Sequence, residues 1–531
     1  MSKYTAITFA PVQGFIEKSR KLRDLYGASL ILSYLSQQLV KEFHKPPELE
    51  VISPASHNLQ KGMPNRILIK GDVSKEQAKA ILISAWKDIL KVCRHWIEEK
   101  IPDKYHWERE WTLWGSHTWE IFQGSGVSIQ AAMDDLETRK LCRDWSGVNW
   151  IGESSSLTGT DAIAFPGLGA ETRNPKNMNY GLENDQVKEF YQELARKLDN
   201  CPADQEPEGK YIAPNEKLSI PELVKRLITL PEIANLISQA RPNNEPLTKL
   251  PQTFTEIQRK PTENTPGQCT GWFMGDGDEV GKHLKDLANK NNSDLELEKF
   301  SYAMRNWGEN FEKTFPEDIG RVVYAGGDDF LGIIYSKNPA KPIKPLQAFD
   351  WLMTLNKQWQ AHQQGITVSV GFVWVAGSVP QRDVLQHCRE AEKVAKSLGR
   401  NRVTIRVVFN SGQYVQWTCP WEYLYILNEY QDREKQSNWS HIYQDLSHLE
   451  SRRTFKIENT NEAYTVQKSA LEFFDIYFPG QGKKLLDDKD NKLTRHLVGF
   501  SENDDAIDRA RATIDWITDL IKVGWHLCSN T

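Results

Sequence analysis

Residues 269–409 switch repeatedly between two-residue and helical hydrophobic periods, and no other stretch so narrows what this chain can fold into. The pattern predicts a strand over 269–274, a helix from about 280 and a second helix over 295–314. A strand over 321–324 then turns at Gly326-Gly327-Asp328-Asp329 into a strand over 330–335. A helix over 345–363, a strand over 366–375, a helix over 381–398 and a strand over 402–409 complete the run. The order βααββαβαβ contains the split βαβ plan of ferredoxin-like sheets.

The N-terminal part reads as a second α/β unit. A strand over 4–9 breaks at Pro11, a basic helix covers 15–26 and an apolar one 28–43, and a strand over 66–70 leads into a helix over 75–97. From 103 to 169 the chain is Trp-rich and irregular. Ser219-Ile220-Pro221-Glu222 opens a helix with a capping box and Pro in its first turn. Residues 240–267, rich in Pro, Asn and Thr, read as a linker, and after Ser411 the chain reads as mostly helical, its last helix over 501–527.

At 531 residues the chain needs several packed units. A net charge of −5 argues against a protein that grips nucleic acid over its whole surface, so any RNA is held locally or by partner chains. The 7 cysteines are scattered singly with no CxxC pair, which supports neither a zinc ribbon nor a disulfide framework and suits a reducing cytosol. No apolar run approaches a membrane span and the N-terminus has no signal-like core, so a cytoplasmic location is expected.

Two acidic motifs sit at strand ends of the regular unit: Met274-Gly275-Asp276-Gly277-Asp278 and Gly326-Gly327-Asp328-Asp329. In a split βαβ sheet the first strand lies beside the hairpin, so the clusters meet at one edge. Carboxylates gathered there repel unless divalent cations neutralise them, and the arrangement suits two Mg²⁺ or Mn²⁺ ions in an in-line phosphoryl displacement. Asp276, Asp328 and Asp329 are the expected metal ligands and catalytic acids. Gly326 and Gly327 leave room for phosphates, and the N–H groups of Gly277, Asp278 and Glu279 are expected to cradle them ahead of a helix. Gly-Gly-Asp-Asp is also ordinary hairpin chemistry, and its pairing with the earlier Asp-x-Asp is what favours a site. Lys396 and Arg400, four apart at a helix end, are expected on one face against a triphosphate, with Gly399 as the helix cap. His283, His387 and the cluster Trp107, Trp111, Trp114 and Trp119 read as structural, and the run Lys18-Ser19-Arg20-Lys21-Leu22-Arg23 reads as either a nucleotide or RNA contact or a solvated helix face.

Gly-Gly-Asp-Asp-Phe330 with Ala395-Lys396-Ser397-Leu398-Gly399-Arg400-Asn401 resembles the GGDEF/adenylyl-cyclase palm superfamily. Phe9-Ala10-Pro11-Val12-Gln13-Gly14-Phe15-Ile16, the run from Ser19 to Ser29, and Met63-Pro64-Asn65-Arg66 are similar to the first palm of the large subunit of type III CRISPR effector complexes, the Cmr branch above all. The resemblance implies an α/β (α+β) chain with two ferredoxin-like palm domains, helical insertions and a helical C-terminal domain. The expected divisions are a non-catalytic first palm over 1–140, an irregular and helical region over 141–268 in place of a zinc-binding domain, the catalytic palm over 269–410 and helices over 411–531. It also implies an antiviral synthase that makes a cyclic oligoadenylate from ATP when cognate target RNA is bound, with other Cmr-type subunits and crRNA as partners. Gln13, Gly14 and Ser29 are the implied nucleotide contacts of the first palm. Two departures from the family stand out. The chain has no His-Asp dipeptide, so no HD nuclease is expected in it, and Ser155 and Thr158 stand at the positions of zinc-binding cysteines, so no zinc is expected. A GGDEF-like cyclase for another nucleotide and a catalytically silent scaffold subunit are the alternatives. The stretch Val280-Gly281-Lys282-His283-Leu284-Lys285 lacks the acids by which GGDEF cyclases read guanine.

Overall fold

The computed structural model describes residues 3–55, 63–143, 150, 152–171, 173, 176, 179–240, 247, 257, 259, 267–338, 340–501 and 503–529. The chain forms two compact units, one of residues 1–256, 281–309 and 323–327, the other of residues 257–280, 310–322 and 328–531. The expected linker over 240–267 lies almost wholly outside the described residues.

The N-terminal elements are β1 (Tyr4–Ala10), α1 (Val12–Glu17), α2 (Leu22–Phe43), β2 (Glu50–Ser53), β3 (Arg66–Lys70), α3 (Lys75–Lys100), α4 (Glu108–His117), β4 (Glu120–Gly126), α5 (Ile129–Leu141), α6 (Tyr180–Asp199), α7 (Ile220–Leu227) and α8 (Pro231–Gln239). The strands form a four-stranded sheet of order β2-β3-β1-β4, with β1 antiparallel to both β3 and β4. Two expectations change here. The basic and apolar helices are divided at Lys18–Lys21 instead of at Gly27, because the Asp24 carboxylate accepts from the N–H groups of Arg20 (3.0 Å) and Lys21 (2.9 Å) and starts α2 at Leu22. Helix α2 runs through Gly27, which is glycine for packing: a Cβ there would lie 1.8 Å from the Lys225 carbonyl oxygen on α7. The stretch read as irregular contains α4, β4 and α5, and Trp107, Trp111 and Trp119 are buried in its core, as their structural reading requires. Trp119 packs edge-on against Phe9 and Trp86 with ring centroids 5.6 and 5.8 Å apart.

Further along come β5 (Thr270–Gly277), α9 (Val280–Ala288), α10 (Ser293–Thr314), β6 (Gly320–Gly326), β7 (Asp329–Ile334), α11 (Pro345–Gln360), β8 (Val368–Val375), α12 (Gln381–Ser397), β9 (Arg402–Val408) and β10 (Tyr414–Pro420). They build a six-stranded sheet of order β10-β9-β8-β5-β7-β6. Its first four strands repeat the split βαβ order of the N-terminal sheet, and β9 then adds in parallel to β8. Strand β8 is buried along its whole length, which accounts for its nearly unbroken apolar run. Phe273 of β5 anchors the core beneath the sheet, its ring centroid 4.5 Å from that of Trp351 and 5.9 Å from that of Phe315. Burial of each such ring contributes about 2–3 kcal/mol.

The region after Ser411 is not only helical. Strand β10 pairs antiparallel with β9 from Tyr414↔Val408 to Pro420↔Arg402, and Gly412 at φ 81° makes the turn. A 3-10 turn over Trp421–Glu429 and helices α13 (Ser440–Ser451), α14 (Thr460–Tyr477), α15 (Gln481–Leu486), α16 (Lys492–Val498) and α17 (Ala506–Cys528) follow. The Trp516 indole donates to the Thr418 carbonyl at 2.9 Å and docks α17 on β10. Among the described residues no helix is long and apolar enough to cross a membrane.

Candidate active site

Strand β5 ends in acid and strand β7 begins in acid, and the ladder sets them face to face: Asp276 is the direct antiparallel partner of Asp329. Facing residues of such a pair have Cβ atoms about 4.5–5.5 Å apart on one side of the sheet. Asp328 joins them through the backbone, since the Gly277 N–H donates to its carbonyl at 2.8 Å. Gly277 must be small: a Cβ would sit 2.8 Å from Val280 Cγ2 and 3.2 Å from Asp328 Cβ. Gly326 closes β6, and Gly327 adopts the left-handed φ of 70° that the tight turn needs.

Burial, then the charges of Asp328 and Asp276, push the Asp329 carboxyl well above the usual carboxylate range. Its side chain keeps a solvent-facing edge, so water relieves part of the burial and the like-charge repulsion is the more telling cause. A cation answers Asp276. Lys396 of α12 donates to Asp276 and lies 2.6 Å from Glu392 one turn earlier. Burial opposes the Lys396 charge, but its bonds to Asp276 and Glu392 outweigh that and raise its pKa. Hard carboxylate oxygens on two adjoining strand ends match the donor chemistry of Mg²⁺ or Mn²⁺. Among the described residues no three His, Cys, Asp or Glu side chains already converge as a finished metal site.

The other expected contacts divide. The phosphate cradle needs correction, because the Gly277 N–H is taken by Asp328 and the Asp278 N–H donates to the Thr367 carbonyl at 2.8 Å. The Asp278 carboxylate is buried and accepts from Ser369 Oγ (2.6 Å), Thr367 Oγ1 (2.8 Å) and the Asn401 N–H (2.9 Å). Glu279 stands just before α9 at φ 55°. Lys396 and Arg400 do not share a helix face: α12 stops at Ser397, and Arg400 lies in the turn beyond it at φ 61°. Gly399 caps the helix as expected, with the Arg400 N–H bonding back to the Ala395 carbonyl at 3.2 Å. In the N-terminal unit the Gln13 amide is held by Glu17 at 3.0 Å, Gly14 lies within α1, and Ser29 is buried in α2. The basic run is bound internally: Lys18 to Asp161 (2.8 Å), Arg20 to the Ser156 carbonyl (2.9 Å) and Lys21 to Glu216 (2.9 Å). His283 lies against the Phe300 ring and His387 beside Arg406, both structural settings.

Residues 269–404 match the family model of the Cas10/Cmr2 second palm domain, and residues 4–91 match that of the N-terminal part of CRISPR-associated protein Cmr2. The chain carries a Cas10/Cmr2 palm. The ferredoxin-like strand order of this segment and the palm-domain family model therefore agree over the same residues. A chain of the type III-B Cmr-beta complex in its apo state is similar in fold, at 12% identity and a TM-score of 0.56, with 98% of this chain and 82% of that chain covered. Csm1–Csm4 cassettes in complex with cA3 and with AMPPNP give TM-scores of 0.45 and 0.44 at 13% and 15% identity, covering 99% of this chain and 69% and 70% of theirs. No curated protein sequence matches.

Sequence reasoning missed three residues of this palm. Glu392 was legible, since it precedes Lys396 by one helical turn. Thr367 and Ser369 carry no sequence signal that ties them to Asp278. At the positions that the resemblance assigns to zinc-binding cysteines, Ser155 and Thr158 donate to the Glu222 carboxylate at 2.5 and 2.7 Å. Glu222 also accepts the Ser219 N–H at 2.8 Å, which is the glutamate half of the expected capping box. A zinc ion does not suit two hydroxyls and a carboxylate already bonded to one another.

Proposed function

We propose that this chain is the large subunit of a Cmr-type, type III CRISPR RNA-guided effector complex, and that its second palm joins ATP into a cyclic oligoadenylate when target RNA is bound. The observation that carries the reading is the cross-strand pair Asp276 and Asp329 with Asp328 beside it, inside the segment that matches the Cas10/Cmr2 palm. Asp276, Asp328 and Asp329 would hold the divalent cations. Those ions would neutralise the triphosphate and polarise the attacking hydroxyl for in-line displacement. Lys396 holds a fixed positive charge beside the acids, and Arg400 offers a guanidinium from an exposed turn. Both complement phosphate oxygens, Arg by its fork and Lys as a point charge.

The partners in this reading are crRNA, target RNA and the other Cmr-type subunits, and the internal pairing of the Lys18–Arg23 run supports leaving most RNA contact to those subunits. The test is ATP consumption by the assembled complex with target RNA and Mg²⁺, with products resolved by mass spectrometry. The wild type should yield cyclic adenylates, and the Asp328→Ala, Asp329→Ala variant none. Undiminished turnover in that variant refutes the site, and a product from GTP in place of ATP refutes the substrate.

A further inference from the structure

Just beyond Lys396 the backbone does something costly. Gly399, Arg400 and Asn401 follow one another at φ 122°, 61° and 50°, so two residues with side chains occupy the left-handed region in succession. Such a turn persists only where its surroundings over-determine it. The Asn401 N–H donates to Asp278 Oδ2 at 2.9 Å, and the buried Arg402 donates to the Arg400 carbonyl at 3.0 Å and to the His496 carbonyl of α16 at 3.1 Å. Trp421 N–H reaches the Asn401 carbonyl at 3.4 Å. Asp278 is 5% exposed and its oxygens are shared among Thr367, Ser369 and Asn401.

We infer that Asp278 is a positioning residue: its carboxylate ties the acid-bearing end of β5 to the turn that presents Arg400, and it touches neither nucleotide nor metal. The inference rests on the nucleotide-joining reading for its kinetic consequence but not for its structural one. An Asp-x-Asp at a strand end invites the view that both acids are ligands. Here the second is already satisfied by three protein donors, while the first faces Asp329. A buried acceptor so satisfied fixes geometry, because releasing it would strand the Asn401 N–H and two hydroxyls. Arg402 extends the same clamp to α16, so the C-terminal helices buttress the turn from its other side.

The test compares Asp278→Ala, Asp278→Asn and Asp276→Ala in the full chain, with amide exchange read on the chain and turnover read in the assembled complex with target RNA and Mg²⁺. An asparagine keeps an oxygen for the Asn401 N–H and offers an N–H to Ser369 Oγ, so it preserves the clamp without the charge. With Asp278→Ala, the KM for ATP should rise tenfold or more with a smaller fall in kcat, and the Asn401 amide should exchange with deuterium at least tenfold faster. Asp278→Asn should restore both to within about threefold of wild type. Asp276→Ala should lose kcat while Asn401 exchange stays at the wild-type rate. The inference is overturned if Asp278→Asn is as inactive as Asp276→Ala, or if Asn401 exchange is unchanged in Asp278→Ala. A wild-type complex without turnover on target RNA would refute the proposed function alone, since amide exchange reports the clamp independently. Should Asp278→Ala fail to fold, the asparagine variant decides: normal exchange with normal KM upholds the clamp, and normal exchange with lost kcat overturns it.

Discussion

The two sheets share one strand order and differ in what stands where the first and third strands of each plan meet. In the C-terminal sheet that meeting point sets Asp276 against Asp329. In the N-terminal sheet it sets Thr8 against Arg66, and the Asn65 amide bonds Thr8 Oγ1 at 3.0 Å and the Phe9 carbonyl at 3.3 Å. One junction carries a single cation, Arg66, answered by Glu137 of α5 at 2.5 Å, while the other gathers like charges that help raise the Asp329 pKa. The same topology thus carries a structural seam in one place and a candidate site in the other, because function lies in the residues placed on a fold.

Charge burial shows the same contrast. In the N-terminal unit Arg226 is fully buried between Asp24, at 2.6 Å, and Glu216. Burial opposes ionisation of Asp24, yet the Arg226 guanidinium holds its carboxyl below the usual range. There a buried cation sits between two acids.

The comparison can be broken at four points. The largest effect is expected for the Asp328→Ala, Asp329→Ala variant, which should lose Mg²⁺-dependent ATP consumption by roughly a thousandfold or more, read from labelled ATP. Its thermal midpoint in EDTA should equal or exceed that of wild type, because the change relieves repulsion; a marked fall would show that these acids stabilise the fold. Next, Asp24→Ala should cost about 3–5 kcal/mol in denaturant unfolding, because it leaves the buried Arg226 with Glu216 alone and the Arg20 and Lys21 N–H groups without their acceptor. A cost below 1 kcal/mol would place Arg226 within reach of water and erase the contrast between the units.

A smaller effect is expected at the turn held by Glu222. Ser155→Ala should cost about 1–2 kcal/mol, and zinc chelators should leave the wild-type thermal midpoint unchanged; a chelator-induced fall would mean that a metal, not hydroxyls, secures this segment. The smallest concerns Lys225, buried on α7, whose ammonium donates to the carbonyls of Phe15 (2.6 Å) and Lys18 (3.0 Å). Burial lowers its pKa to about 8. Between that value and the ordinary lysine pKa the unfolded chain binds more protons than the folded one, so stability gains from this group as pH rises. Relative to Lys225→Met, the wild type should therefore gain on the order of 1 kcal/mol per pH unit from pH 8 to pH 10. A stability gap that stays flat with pH would mean the ammonium is solvated.

Much of this molecule can be read without coordinates where a local rule acts alone. The strands of the second palm, the Gly399 helix cap and the acids at the ends of β5 and β7 follow from periodicity and turn chemistry. Element ends and edge strands were less legible: β10 has a Gly412 turn before it, but its buried residues run consecutively from Trp417 to Pro420, so it shows no alternation. The split between α1 and α2 depended on one carboxylate capping two N–H groups, a competition that a basic, helix-favouring run conceals.

By itself, then, the amino-acid order determined which residues carry negative charge at strand ends and that those strands adjoin, since period and topology are properties of neighbours along the chain. Only tertiary structure decided how the remaining polar groups are spent. Asp278 went to Asn401 and strand β8, Lys396 to Asp276, Lys18 and Lys21 to acids far along the sequence, and Glu222 to Ser155 and Thr158. The reason is physical: a hydrogen bond between distant residues is chosen by which donors and acceptors share burial, and burial is a property of the folded whole.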